Sequence, residues 1–122
     1  MHELSIATSI LEAVEREQRT HAGARFTAVG LRVGEVAGVD VDALQFGWEA
    51  ITRETAWESL KLSIEIVPRC NRCKNCGNEF AVKDYDIQCP KCASFATENL
   101  GGDELDIAYI EAEEEVVEGA GA

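Results

Sequence analysis

With 122 residues the chain has room for one domain, or for one domain with a small module set into it. Hydrophobic residues make up 46%, enough for a packed core, while 11 Lys and Arg stand against 23 Asp and Glu for a net charge of −12. So acidic a chain is repelled by nucleic acid and by anionic membrane surfaces, and no apolar run reaches the roughly 18–20 residues that span a bilayer.

Residues 3–19 read as an amphipathic helix. Ala7, Ile10, Leu11 and Val14 fall on one stripe, with Leu4 and Ile6 beside it, and Glu12, Glu15, Arg16 and Arg19 cover the other face. After His21-Ala22-Gly23 the period changes. Over 25–35, Val29, Leu31 and Val33 alternate with Gly30, Arg32 and Gly34, a strand with one buried face. Asp40 or Asp42 can cap a second helix over about 41–54, whose stripe is Val41, Leu44, Trp48 and Ile51. Leu60, Leu62, Ile64 and Ile66 form the cleanest alternating strand, and Pro68 stops its pairing. A cysteine-rich stretch follows over about 69–98. Leu105, Ile107 and Tyr109 make a last short strand before an acidic tail, expected to be disordered over 113–122.

Three strands and two helices predict a two-layer α/β unit. Its domains are residues 1–68 with 104–112, the inserted module at 69–103, and the tail. The insert must return the chain close to where it left, as a compact hairpin-like module does. Phe80, Val82, Tyr85 and Ile87 can supply a short hairpin within it.

The start Met1-His2-Glu3-Leu4 lacks the basic and apolar regions of a signal peptide, so a cytoplasmic, reducing setting is expected. There, five cysteines serve as metal ligands or free thiols rather than disulfides, and an odd number cannot all pair. Cys73 and Cys76 form one Cys-x-x-Cys pair, and after twelve residues Cys89 and Cys92 form another. Two such turns can aim four thiolates at one ion about 2.3 Å away, and four sulfurs make a closed, structural zinc shell. Cys70 and Cys73 have the same spacing, but Gly77 lies where a turn under the sulfurs needs it, which favours Cys76. Arg72, Lys74, Lys83 and Lys91 surround the pairs and offset the thiolate charge; residues 69–98 carry +1 and the remainder −13. A thioredoxin-like redox pair would need a single Cys-x-x-Cys at a helix start. Iron also fits four sulfurs, though this chain is larger than an electron carrier needs.

His21 reads as a surface residue. His2 differs because a large second residue blocks removal of the initiator methionine. The Met1 α-amine, the His2 amide and the His2 imidazole then share one short peptide. Fused chelate rings of this kind suit Ni²⁺ or Cu²⁺, which favour a flat nitrogen environment, and Glu3 can add a donor. No phosphate-binding loop or Ser/His/Asp set is visible, so no enzymatic role is expected.

The opening Met1-His2-Glu3-Leu4-Ser5, the stretches Val33-Gly34-Glu35 and Phe46-Gly47-Trp48-Glu49, and the two late cysteine pairs together resemble the HypA/HybF family of nickel metallochaperones. The resemblance covers nearly the whole chain. It implies two helices on a three-stranded sheet, with a zinc module projecting from them. His2 would be the key nickel ligand, with Met1 and Glu3 at the same site, and Cys73, Cys76, Cys89 and Cys92 would hold structural zinc. Nickel would be cargo for the [NiFe]-hydrogenase large subunit, passed on with a HypB-type GTPase, and in some organisms for urease through its maturation proteins. Cys70 and the acidic tail depart from the family's pattern. The rival reading is a zinc-ribbon protein-interaction adaptor without nickel chemistry.

Overall fold

The structure, a computed structural model, describes residues 3–114, so Met1, His2 and positions 115–122 lie outside the described residues. In chain order it holds helix α1 (Glu3–Thr20), strand β1 (Ala24–Gly34), helix α2 (Val41–Thr52), and strands β2 (Lys61–Val67), β3 (Cys70–Cys73), β4 (Glu79–Ala81), β5 (Thr97–Gly101) and β6 (Leu105–Glu114). The strands form two sheets, ordered β2-β1-β6 and β4-β3-β5. The chain divides into two compact units. One takes the described residues up to Leu31, Val39–Ile64 and those from Ile107 onward; the other takes Arg32–Gly38 and Glu65–Asp106.

In the first unit the stripe of α1 buries Ala7, Ile10 and Val14, while Leu4 stays exposed. These side chains join Val29 and Leu31 of β1, Leu44 and Trp48 of α2, and Leu60 and Leu62 in the core. Each such burial contributes roughly 1.5–3 kcal/mol for a large aliphatic side chain. Gly47 of α2 faces α1, where a Cβ would make ordinary contact with Leu4 and Ala7. Asp40 is the N-cap, its Oδ1 accepting the Asp42 and Ala43 N–H groups at 3.1 Å. Two α2 side chains tie it to the chain opposite: Trp48 Nε1 donates to the Leu60 carbonyl at 3.0 Å and Gln45 to that of Leu62 at 2.7 Å.

Two expectations need correction. β1 was expected to bury one face, yet Ala28, Val29, Gly30 and Leu31 are all buried. Residues of both faces are covered along this stretch, and the Tyr109 ring occupies the place a Gly30 side chain would take. The last strand is not short. Glu111 to Glu114 continue β6, so the tail cannot begin at 113; the Thr27 hydroxyl donates to the Glu111 carbonyl at 3.3 Å.

In the second unit β3 pairs antiparallel with β4 on one side and β5 on the other. The expected hairpin around Phe80–Ile87 does not form. Phe80 belongs to β4 and pairs with Asn71, and the next turn is closed by a single bridge between Lys83 and Asp86. Asp84 and Tyr85 in that turn are both left-handed, at φ 54° and 64°. The buried Asn71 donates to Thr97 Oγ1 at 3.1 Å, and that hydroxyl donates to the Ile87 carbonyl at 2.8 Å. This relay links β3 and β5 to the segment entering the second cysteine pair. Gly34 packs against the Gly102 backbone so closely that a Cβ has no room, while its N–H donates to the Glu104 carbonyl at 2.7 Å. This unit is wider than the expected 69–103, because it includes Arg32–Gly38 and the strand ends beside them.

Candidate metal centres

Cys73, at the end of β3, and Cys89 begin two matching turns. In the first, the Gly77 N–H donates to the Cys73 carbonyl at 2.9 Å and the Cys73 N–H to the Asn78 carbonyl at 2.9 Å. In the second, Ala93 donates to Cys89 at 2.9 Å and Cys89 to Ser94 at 2.8 Å. Gly77 has φ +80° and Ala93 φ +67°, so both turns need a left-handed residue at the same place, and only the first has glycine there.

These turns bring the Sγ atoms of Cys73, Cys76, Cys89 and Cys92 within 4.8 Å of one another. Among the described residues this is the one group of three or more His, Cys, Asp or Glu side chains close enough to share an ion. Across the two turns, Cys73 and Cys92 Sγ are 3.5 Å apart and Cys76 and Cys89 Sγ 3.7 Å. A tetrahedron with 2.3 Å metal–sulfur arms has edges of about 3.8 Å, so the spacing fits zinc. Cys70 stands on β3 outside the group, half-buried.

N–H donors surround the sulfurs. The Asn75 and Cys76 amides donate to Cys73 Sγ at 3.3 and 3.4 Å, and Lys91 to Cys89 Sγ at 3.4 Å. Two asparagine side chains reach from the first turn to the second: Asn75 to Cys92 at 3.4 Å and Asn78 to Cys89 at 3.8 Å. Burial pushes the Cys89 thiol up, but the Cys92 and Lys91 amides, with Cys76 and Asn78, outweigh it and bring it down to about 6. The Asn75 side chain and the Ser94 amide hold Cys92 below the usual thiol value. At Cys76 the Asn78 amide lowers the thiol, yet burial and the three neighbouring sulfurs leave it pushed up to about 11. Backbone and amide dipoles therefore favour some thiolates but not all four, and a bound dication would supply the missing charge. The asparagines were not singled out from sequence; an Asn between or just after paired cysteines is the only local signal for them.

Of the three residues expected to hold nickel, only Glu3 is described. It opens α1, and its Oε2 accepts the Asp40 N–H at 3.0 Å. That hydrogen bond, with Glu3's place at the helix start, holds its exposed carboxyl below the ordinary value. Glu3 is thus anchored at the cap of α2. His21 lies at the C-terminal end of α1, where its Nδ1 approaches the Glu17 carbonyl at 3.1 Å, an ordinary surface contact. No helix among the described residues is long and apolar enough to cross a membrane.

Comparison with known proteins agrees with this architecture. Residues 1–112 match the family model described as hydrogenase/urease nickel incorporation, metallochaperone, hypA. The hydrogenase maturation factor HypA of Geobacter metallireducens is 40% identical over 113 residues, spanning 93% of this chain and all of that one. That of Alkalilimnicola ehrlichii is 39% identical over 111 residues, 91% of this chain and 98% of the relative. Among solved structures, the Ni metallochaperone HypA from Helicobacter pylori shares the fold with a TM-score of 0.62 at 23% identity, over 94% of this chain and all of that one. A second HypA solution structure gives 0.68, also at 23% identity, over 94% of this chain and 98% of that one.

Proposed function

This chain belongs to the HypA family of nickel-incorporation metallochaperones, and on that premise we propose that it carries Ni²⁺ at its N-terminus and delivers it to a [NiFe]-hydrogenase large subunit. The Met1 amine, the His2 amide and imidazole, and Glu3 are the proposed donors, and nickel is cargo rather than a resident ion. The observation that carries the reading is the family match beginning at residue 1, so that it includes the Met-His-Glu start. The anchored Glu3 supports it, because the Asp40 amide holds one carboxylate oxygen at the start of α1. Nitrogen donors suit Ni²⁺ in a flat arrangement, and a site at a chain end stays open to a partner's ligands during transfer.

Cys73, Cys76, Cys89 and Cys92 are proposed to hold a structural Zn²⁺, whose chemistry there is a cross-link between the two turns. A HypB-type GTPase is the proposed delivery partner, urease maturation proteins are further recipients where that enzyme is present, and the cytoplasm is the proposed setting. We assign no catalytic role.

The test is nickel titration of the full chain with its native N-terminus, beside His2→Ala and a variant carrying a Gly-Ser extension before Met1. The extension turns the amine into an amide and alters the chelate rings. Both changes should weaken nickel binding, His2→Ala at least as strongly, with zinc content unchanged. A zinc-ribbon adaptor would show no nickel binding that depends on His2. Equal affinity with and without the extension would remove the amine from the ligand set.

A further inference from the structure

The four cysteines are not equally buried as residues. Cys73 and Cys89 are each 1% exposed, Cys92 is half-buried, and Cys76 is exposed. The hydrogen bonds follow the same order. By hydrogen-bond geometry Cys73 accepts two backbone N–H groups, Cys89 accepts Lys91 and the Asn78 side chain, and Cys92 accepts the Asn75 side chain, with the Ser94 amide also acting on its thiol. No side-chain amide donates to Cys76, whose Sγ has the Cys89 Sγ as its hydrogen-bonding neighbour at 3.7 Å. An N–H donor draws charge from a thiolate and weakens it as a nucleophile, and exposure decides whether an electrophile can reach it.

We infer that Cys76 is the oxidation site of this centre, attacked first by hydrogen peroxide, with Cys89 as the thiol that resolves it. The Cys76 thiolate attacks one peroxide oxygen. A sulfur–oxygen bond forms, the O–O bond breaks and hydroxide leaves; Cys76 is oxidised by two electrons to the sulfenic acid and the peroxide is reduced. Cys89 Sγ, 3.7 Å away, then attacks the Cys76 sulfur, forming the S–S bond and expelling a second hydroxide. The disulfide joins the two turns and removes two donors at once. Cys73 and Cys92 form the other close sulfur pair, at 3.5 Å, and Asn75 shields the more accessible of the two. Asn75 is therefore a positioning residue that keeps Cys92 out of the reaction.

This inference rests on the proposed zinc site, so the experiment begins with zinc content. It uses the full-length zinc-loaded protein carrying Cys70→Ser, which removes the unrelated thiol. Substoichiometric hydrogen peroxide is added, released zinc is followed with a chromogenic chelator, and the remaining thiols are blocked before digestion. Trypsin cuts after Arg72, Lys74, Lys83 and Lys91, leaving each of the four cysteines in its own peptide. The first disulfide should join the Cys76 and Cys89 peptides, one zinc lost per disulfide. Limiting iodoacetamide should label Cys76 first. Asn75→Ala, which keeps all four sulfurs, should raise Cys92 labelling on the order of fivefold and leave Cys76 unchanged. A protein that holds no zinc overturns both the zinc reading and this one. A zinc-loaded protein whose first modified sulfur is Cys92, or whose four sulfurs react alike, overturns this one alone. So does Asn75→Ala with unchanged Cys92 labelling.

Discussion

Ala93 and Gly77 occupy the same position in two turns of the same hydrogen-bond pattern, and exchanging their identities isolates what left-handed backbone costs this module. A residue with a Cβ held at positive φ is disfavoured by about 1–2 kcal/mol. Glycine recovers that cost but loses about 0.4–1 kcal/mol through its greater freedom in the unfolded chain. Ala93→Gly should therefore stabilise the module by about 0.5–1 kcal/mol, and Gly77→Ala should destabilise it by a similar amount. The Gly77 change has no steric part, because a Cβ there meets no atom within 4 Å. The sulfurs converge only when the turns are formed, so the difference should appear in zinc affinity as a factor of about two to five in opposite directions. Competition against a chelator of known affinity measures it, and the double variant should return close to the parent. If Ala93→Gly loosens zinc as Gly77→Ala does, chain flexibility outweighs backbone handedness and the reasoning fails.

Gly34→Ala should be far more damaging, because its Cβ would collide with the Gly102 backbone, which cannot rotate away. Overpacking with loss of the Gly34–Glu104 hydrogen bond should cost about 2–4 kcal/mol in chemical denaturation, and a midpoint unchanged from the parent would contradict the close approach. Cys89→Ser should release zinc and loosen the β4-β3-β5 sheet, as seen by elemental analysis and amide exchange, whereas Cys70→Ser should retain the ion. The reverse pattern would put Cys70 in the ligand set. Charge reversal at Glu12 and Glu15 on the exposed face of α1 should weaken binding to a HypB-type GTPase in calorimetry while nickel binding by the isolated chain stays the same; unchanged affinity would move the partner surface elsewhere.

Sequence by itself determined the features that depend on neighbours a few residues apart. The 3.6-residue stripe of Ala7, Ile10 and Val14 and the alternation of Val29, Leu31 and Val33 specify α1 and β1, because periodicity decides which face can be buried. Cys-x-x-Cys twice over, with Gly77 in place, specifies a four-sulfur group, because the turn geometry is local. Asp40 is legible as a cap for the same reason. Contacts between residues far apart in the chain belong to the tertiary structure alone. It takes 37 positions to bring the Asp40 amide to Glu3, and no local rule predicts that a proposed nickel donor is anchored at another helix's cap. The apolar alternation of β2 marks one face, yet Ile66 on that face is 49% exposed, since burial depends on what packs opposite. Phe80 looked like half of a hairpin with its own neighbours, but the edge of β3 offered a better partner. Asn75 and Asn78 carry no signal of their own beyond their place beside the first cysteine pair. Only the meeting of the two turns gives their side chains a sulfur to hold, because which thiolate faces which amide is set when both segments fold onto one another.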